Sequence, residues 1–148
     1  MRNPDYLKYW RIVRFYYKSK YGIKQDELEM ILFLYSEQYF NEKTFFHFNT
    51  VLQWNRHRLK NMIRDGWVEV FREKVRGRKA MYQLTYKAKR LVNDIYRKLQ
   101  GESFVTHAHL VPMFGKSPNY VEKRYKRIIL ELNQQLLDKK FKEIEDDL

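Results

Sequence analysis

The feature that most limits what this chain can fold into is a change of period at Gly66. Before it, Leu59, Met62 and Ile63 recur at the three- and four-residue spacing of a helix face. After it, Trp67 to Arg72 and Lys79 to Leu84 alternate at nearly two, the spacing of strands. Between the strands, Glu73-Lys74-Val75-Arg76-Gly77-Arg78 carries a glycine where a tight turn needs left-handed backbone, which predicts a hairpin with an exposed tip. Asp65-Gly66 closes the preceding helix for the same conformational reason. Thr85 next caps a helix through Ala88, Leu91, Val92, Ile95 and Leu99 that stops at Gly101.

Upstream, Asn49 and Thr50 offer the N-cap of the helix that Gly66 ends. Val51, Asn55, Leu59 and Met62 share its packing face, flanked by Trp54 and Ile63, while Gln53, His57, Lys60 and Arg64 line the opposite one. Before it, Asp26 is placed to cap a helix through Leu28, Ile31, Leu32 and Tyr35 that ends near Gln38. Asn41 opens a short helix holding Phe45, Phe46 and Phe48.

The two ends of the chain read as longer helices. Pro4 suits a first turn, and Tyr6, Trp10, Val13 and Tyr17 form one stripe to about Lys20, with a stop at Gly22. Tyr9, Phe15 and Tyr16 lie off that stripe, so this helix is either central in the fold or part of a dimer interface. Residues 101–117 read as a connection with an extended piece around Phe104 to Val111. Ser117-Pro118 then starts a last helix through Val121, Tyr125, Ile128, Ile129, Leu132, Leu136 and Leu137, expected to fray after Lys140.

Helix, short helix, basic helix, basic-tipped hairpin and Thr-capped helix, in that order, make a winged helix-turn-helix: mainly α with a small β-hairpin wing. The chain is read as one domain over residues 1–148, with its core at 24–100 and terminal helices at 4–20 and 118–144 for dimerisation. The run Leu59-Lys60-Asn61-Met62-Ile63-Arg64-Asp65-Gly66-Trp67-Val68, followed by Arg76-Gly77-Arg78-Lys79 and Leu84-Thr85, resembles the MarR family of transcription regulators. The resemblance covers residues 28–100 and implies a two-fold homodimer formed by terminal helices. It also implies a recognition helix in the major groove and the possibility of a small-molecule effector. Two-fold symmetry would set two recognition helices about 34 Å, one DNA turn, apart. The chain departs from the family pattern at Ala88, where a glycine is usual, at Arg76, where an acid is usual, and in the length of 101–117. With no cysteine, it falls outside the members that sense oxidants through thiols.

Charge points the same way. The net charge is +12, and residues 51–90 hold 12 Lys and Arg against the three acids Asp65, Glu69 and Glu73, a surplus expected to meet a polyanion. In the helix after Thr50, the side chains Gln53, Asn55, Arg56, His57, Lys60 and Arg64 are of the types that read base edges or neutralise phosphates, although Asn55 can instead pack inward. In the hairpin, Arg72, Lys74, Arg76, Arg78 and Lys79 can reach phosphates or the narrow minor groove. The expected function is sequence-specific binding of double-stranded DNA by a transcription regulator. The alternative is a structural or protein-interaction module, as in a viral or nucleoprotein particle, that binds nucleic acid without sequence preference.

Other chemistries find little support. Asp26, Glu27 and Glu29 sit in a first helical turn, where carboxylates meet the helix dipole. His107 and His109 lack companions at metal-ligand spacing, so no metal or cofactor is expected. No phosphate loop, nucleophile elbow or metalloprotease motif is present, so no enzymatic activity is expected. The longest apolar run, Met30 to Tyr35, is too short for a bilayer, and the N-terminus lacks an apolar export signal. A cytoplasmic protein is the expectation.

Overall fold

The computed structural model describes residues 6–47, 55–115 and 118–148. The chain divides into two units, Lys24–Asn93 and a second made of Met1–Ile23 with Asp94–Leu148.

The unit Lys24–Asn93 has the winged helix-turn-helix order: α2 (Gln25–Leu34), α3 (Glu42–His47), α4 (Arg56–Arg64), β1 (Val68–Arg72), β2 (Met81–Leu84) and the start of α5 (Tyr86–Leu99). Leu28, Met30, Ile31 and Leu34 of α2, Phe45 of α3, Leu59 and Met62 of α4 and Leu91 of α5 are all fully or almost fully buried. At about 25 cal/mol per Å² of apolar surface removed from water, such a cluster is the main force holding these short helices together. β1 and β2 pair antiparallel, Val68 opposite Leu84 and Val70 opposite Tyr82, with a bulge between Val70 and Arg72. Phe40 adds a third, single-residue rung: its N–H donates to the Tyr82 carbonyl at 2.9 Å, and the Tyr82 N–H donates back at 2.7 Å. Gly66 and Gly77 take φ of 83° and 80°, the left-handed backbone expected at the helix stop and the hairpin tip. The Thr85 hydroxyl accepts from the Ala88 N–H at 3.2 Å, the predicted cap of α5, and donates to the Gly66 carbonyl at 2.7 Å, tying the cap to the helix stop.

Several boundaries differ from expectation. Asp26 does not cap α2. The extended cap residue is Lys24, and Asp26 lies in the first turn, where its carboxylate takes the Glu27 N–H and pairs with Arg58. Helix α2 ends at Leu34, short of Gln38. Asn55 is not a turn inside α4 but its N-cap: its backbone is extended (φ −136°, ψ 174°) and its Oδ1 accepts from the Arg58 N–H at 2.9 Å. Asparagine is among the best caps because its short carbonyl reaches back to an orphan N–H. Asn41 caps α3 as predicted, accepting from the Thr44 N–H at 2.9 Å. The expectations for Pro4, Phe48, Asn49, Thr50, Val51, Gln53, Trp54 and Ser117 lie outside the described residues.

The second unit holds α1 (Tyr6–Tyr21), the end of α5 and α6 (Tyr120–Asp146). Val13, Tyr16 and Tyr17 are the buried residues of α1, so the supposedly off-stripe Tyr16 is core, while Tyr6 at the start of the stripe is exposed. Tyr16 donates to the Val105 carbonyl at 2.6 Å, and Phe15 stacks on Tyr125 at 4.0 Å. Among the described residues, the segment after Gly101 forms no strand. It buries Phe104, Val111, Met113 and Phe114, the last two in a 3₁₀ turn at Pro112–Phe114, and Asn133 brackets Phe104 with bonds to its N–H (2.8 Å) and carbonyl (2.9 Å). Helix α6 starts from an Asn119–Glu122 capping box and continues past Lys140 to Asp146 without fraying. Of its predicted stripe only Ile129 and Leu132 are buried; Val121, Ile128 and Leu137 are exposed.

Candidate nucleic-acid interface

Within Lys24–Asn93, one open cleft collects the N-terminal half of α4, the outer face of α3 and the tip-side half of the hairpin. Arg56 and Lys60, four residues apart, line it from α4, and Lys74, Lys79 and Tyr82 line it from the hairpin. Lys43, Thr44 and His47 line it from α3. Four expected site residues, Arg56, Lys60, Lys74 and Lys79, therefore meet at one surface although up to 23 positions separate them in the sequence.

The cleft is not uniformly positive. Glu37, Glu42 and Glu73 also line it, and Arg56 bonds Glu42 at 3.1 Å. Burial, then the Glu42 and Glu73 carboxylates, raise the Tyr82 phenol above its ordinary pKa. The Arg56 side chain is nonetheless 67% exposed, and a pair so open to water contributes about 0–1 kcal/mol, little enough for a phosphate to displace. Arg58 is held more firmly. Burial alone would raise the Asp26 carboxyl, but the hydrogen bond and charge of Arg58 overcome that and keep it below its usual range. Arg58 thus fastens α4 to α2.

The remaining expected residues spread along the same element and its wing. His57 is exposed on the first turn of α4, and Arg64 is exposed at its other end beside Asp65 at 3.1 Å. Arg72 closes β1 and donates to the Lys79 carbonyl at 3.4 Å. Arg76 and Arg78 flank Gly77 at the tip, where Val75 and Arg78 exchange backbone bonds of 3.3 and 2.9 Å that fix the turn. Thr50 and Gln53 lie outside the described residues, and Asn55, as N-cap, has its carbonyl oxygen engaged by the backbone.

Lys43, Thr44, His47 and Tyr82 line the cleft in addition to the expected residues. The Asn41 cap gives the signal for α3: once α3 starts there and Phe45 points inward, Lys43 and His47, four apart, fall together on another face. His107 and His109 lie with ring centroids 5.6 Å apart, and among the described residues no group of three potential ligands is found. No described helix is long and apolar enough to cross a membrane.

No family model and no curated protein matches the chain. Similar solved structures include a disulfide-formed AbfR, at 18% identity over 89% of this chain and 84% of that one with a TM-score of 0.44. A reduced AbfR bound to DNA is similar at 15% identity over 91% and 88%, with a TM-score of 0.42. This chain, without cysteine, has no counterpart of the first protein's disulfide.

Proposed function

We propose that the chain is a double-stranded DNA-binding transcription regulator of MarR-like type, acting as a homodimer. The observation that carries this reading is the meeting of Arg56 and Lys60 from the exposed face of α4 with Lys74 and Lys79 of the hairpin around one open cleft. A helix of this width enters the major groove, and a basic hairpin beside it is placed to follow the backbone into the adjacent minor groove. In this reading Arg56, His57 and Lys60 approach base edges, and Arg72, Lys74, Arg76, Arg78 and Lys79 hold phosphates. Selection on random duplexes followed by sequencing tests it, with a recurring motif as the expected result. His57→Ala is expected to cost about 1–3 kcal/mol of discrimination if its contact is bidentate, whereas Arg76→Ala and Arg78→Ala weaken all duplexes alike.

One observation favours the second reading, a module that binds nucleic acid without sequence preference. Asn55 is engaged as the cap and Arg58 is tied to Asp26, which leaves α4 fewer polar side chains able to read bases than its sequence contains. If selection returns no motif and the four variants His57→Ala, Lys60→Ala, Arg76→Ala and Arg78→Ala weaken every duplex equally, this second reading holds.

A further inference from the structure

Phe71 is 52% exposed, although the strand that carries it begins at the buried Val68. The register explains why. Val70 lies opposite Tyr82 and Arg72 opposite Met81, so Phe71 is the extra residue of the β1 bulge. A bulge re-aims the side chain it carries and twists its strand. The ring does not lie loose on the surface. It stacks on Tyr39, itself 38% exposed, with centroids 4.2 Å apart and planes 27° from parallel. Tyr39 is positioned in turn by its neighbour Phe40, whose side chain is buried and whose backbone makes the two-bond rung with Tyr82. Each ring gives one face to the other, so the exposure left to Phe71 lies on its free face and edges. The pair is aligned by backbone on both sides, and a ligand need not order it.

We propose that these two rings form a stacking platform for an unpaired base of a nucleic acid strand whose phosphates follow the hairpin cations. The proposal goes beyond the functional reading, which assigns neither ring, and shares with it only those cations. Charge selects a polyanion. Residues 72–79 are all exposed and hold Arg72, Lys74, Arg76, Arg78 and Lys79 against the single acid Glu73. Arg72 follows Phe71 directly, and its Nη2 donates to the Lys79 carbonyl at 3.4 Å; a guanidinium has five donors, so capacity for a phosphate remains at the edge of the platform. Of the two acids nearest in sequence, Glu69 already accepts a bond from Gln83 at 2.8 Å, and Glu73 lines the cleft with Lys74 and Lys79. Size selects a base over a protein. A stable protein–protein interface covers about 800 Å² on each side, far more than two part-exposed rings present, whereas stacking needs one planar face. Pairing decides the rest: inside a duplex each base is covered on both faces by its neighbours, so a ring fixed on a strand reaches only a base that is unstacked on one side.

Fluorescence anisotropy with two labelled single strands of about twelve residues, one of adenines and one of abasic sites, separates the base from the phosphate. The wild-type chain is expected to bind the adenine strand about tenfold more tightly than the abasic one, a comparison that needs no variant. Phe71→Ala is expected to lose that advantage while binding the abasic strand as before. Phe71→Leu, which keeps an apolar side chain without a planar face, should behave as Phe71→Ala does, and Phe71→Trp should restore the preference. Because Phe71 is exposed, the variants should fold, which thermal unfolding checks. Duplex affinity at the same salt is expected to be unchanged in all three. Equal binding of the two strands by the wild type overturns the proposal, as does wild-type affinity for the adenine strand in Phe71→Ala or Phe71→Leu; intact duplex binding in those cases leaves the functional reading standing. A Phe71→Ala variant that weakens duplex, adenine and abasic strands alike also overturns it, since the ring then supports the shape of the hairpin and not a base. So does a Phe71→Ala variant whose sedimentation shows altered self-association, which makes this face a protein contact.

Discussion

Helices α4 and α6 are both amphipathic, yet they leave opposite materials in water. Helix α4 buries Leu59 and Met62 and exposes Arg56, His57, Lys60 and Arg64. Helix α6 buries Ile129 and Leu132 and exposes Leu130, Leu137, Phe141 and Ile144. A cationic face loses little by staying hydrated until a polyanion displaces its counterions. An apolar stripe costs free energy for as long as water covers it. The difference teaches that an exposed face must be judged by what it would gain on being covered: the first suits a partner recognised by charge, the second one recognised by dehydration.

The largest expected effect tests the charged face. If the α4 and hairpin cations contact about six phosphates, duplex affinity should fall by about 10³-fold between 50 and 200 mM salt. Self-association through an apolar seam should change far less over that range, because its main term is not screened. Measuring both by sedimentation and fluorescence anisotropy at matched salt gives two slopes. Equal slopes would erase the contrast between the helices.

Truncation of one leucine in each helix sharpens it further. Leu59, 2% exposed in the core of its unit, should cost about 2–5 kcal/mol of unfolding free energy when replaced by Ala, because a cavity remains. Leu137, 46% exposed, should cost well under 1 kcal/mol in the monomer, as surface changes do, and show its effect as weaker self-association. Urea titrations at low and high protein concentration separate the two, and a Leu137→Ala variant that loses as much stability as Leu59→Ala in dilute solution would mean that the exposed stripe is already covered.

A smaller effect concerns the start of α4. Asn55→Ala should lower stability by about 1 kcal/mol, since the Arg58 N–H loses its acceptor, while Asn55→Gly should lower it by only a few tenths. If Asn55 instead read a base, both variants would leave thermal stability unchanged and alter the selected motif.

The sequence made the hairpin and its flanks legible because local rules suffice there: Gly66 and Gly77 need left-handed backbone, and Thr85 caps the helix it precedes. Helix starts were harder, since several capping residues stood close together and only the chain's path chooses between them. Asn55 caps α4 and Asn119 caps α6, and the positions favoured in the sequence, Asp26 for α2 among them, lie one or more residues away. The cleft was half legible. Its cations announced themselves by density, but the contribution of α3 depends on Phe40 pairing with Tyr82 across 42 positions, a long-range contact that no periodicity encodes. The burial of Phe104, Met113 and Phe114 likewise has no periodicity to announce it.

An effect of the same size lies in the unit that holds α6 and depends on pH. Burial pushes the Tyr16 phenol up from 10.0 to about 12, and its hydroxyl donates to the Val105 carbonyl at 2.6 Å. Tyr17 beside it is raised in the same direction, first by burial and then by Asp94. A phenol whose folded pKa exceeds its unfolded value holds its proton more tightly when folded. Its contribution is therefore complete below pH 10 and is lost as the pH climbs from 10 through about 12. Tyr16→Phe should lower stability at neutral pH by about 1 kcal/mol, because the Val105 carbonyl loses its donor, and should flatten the alkaline decline without abolishing it, since Tyr17 still titrates. Urea midpoints of the wild type and the variant between pH 8 and about 12 measure both. A variant that declines as steeply as the wild type above pH 10 would show that Tyr16 is not the group responsible, and the alkaline sensitivity would then belong to Tyr17 and Tyr82, the other phenols raised by burial.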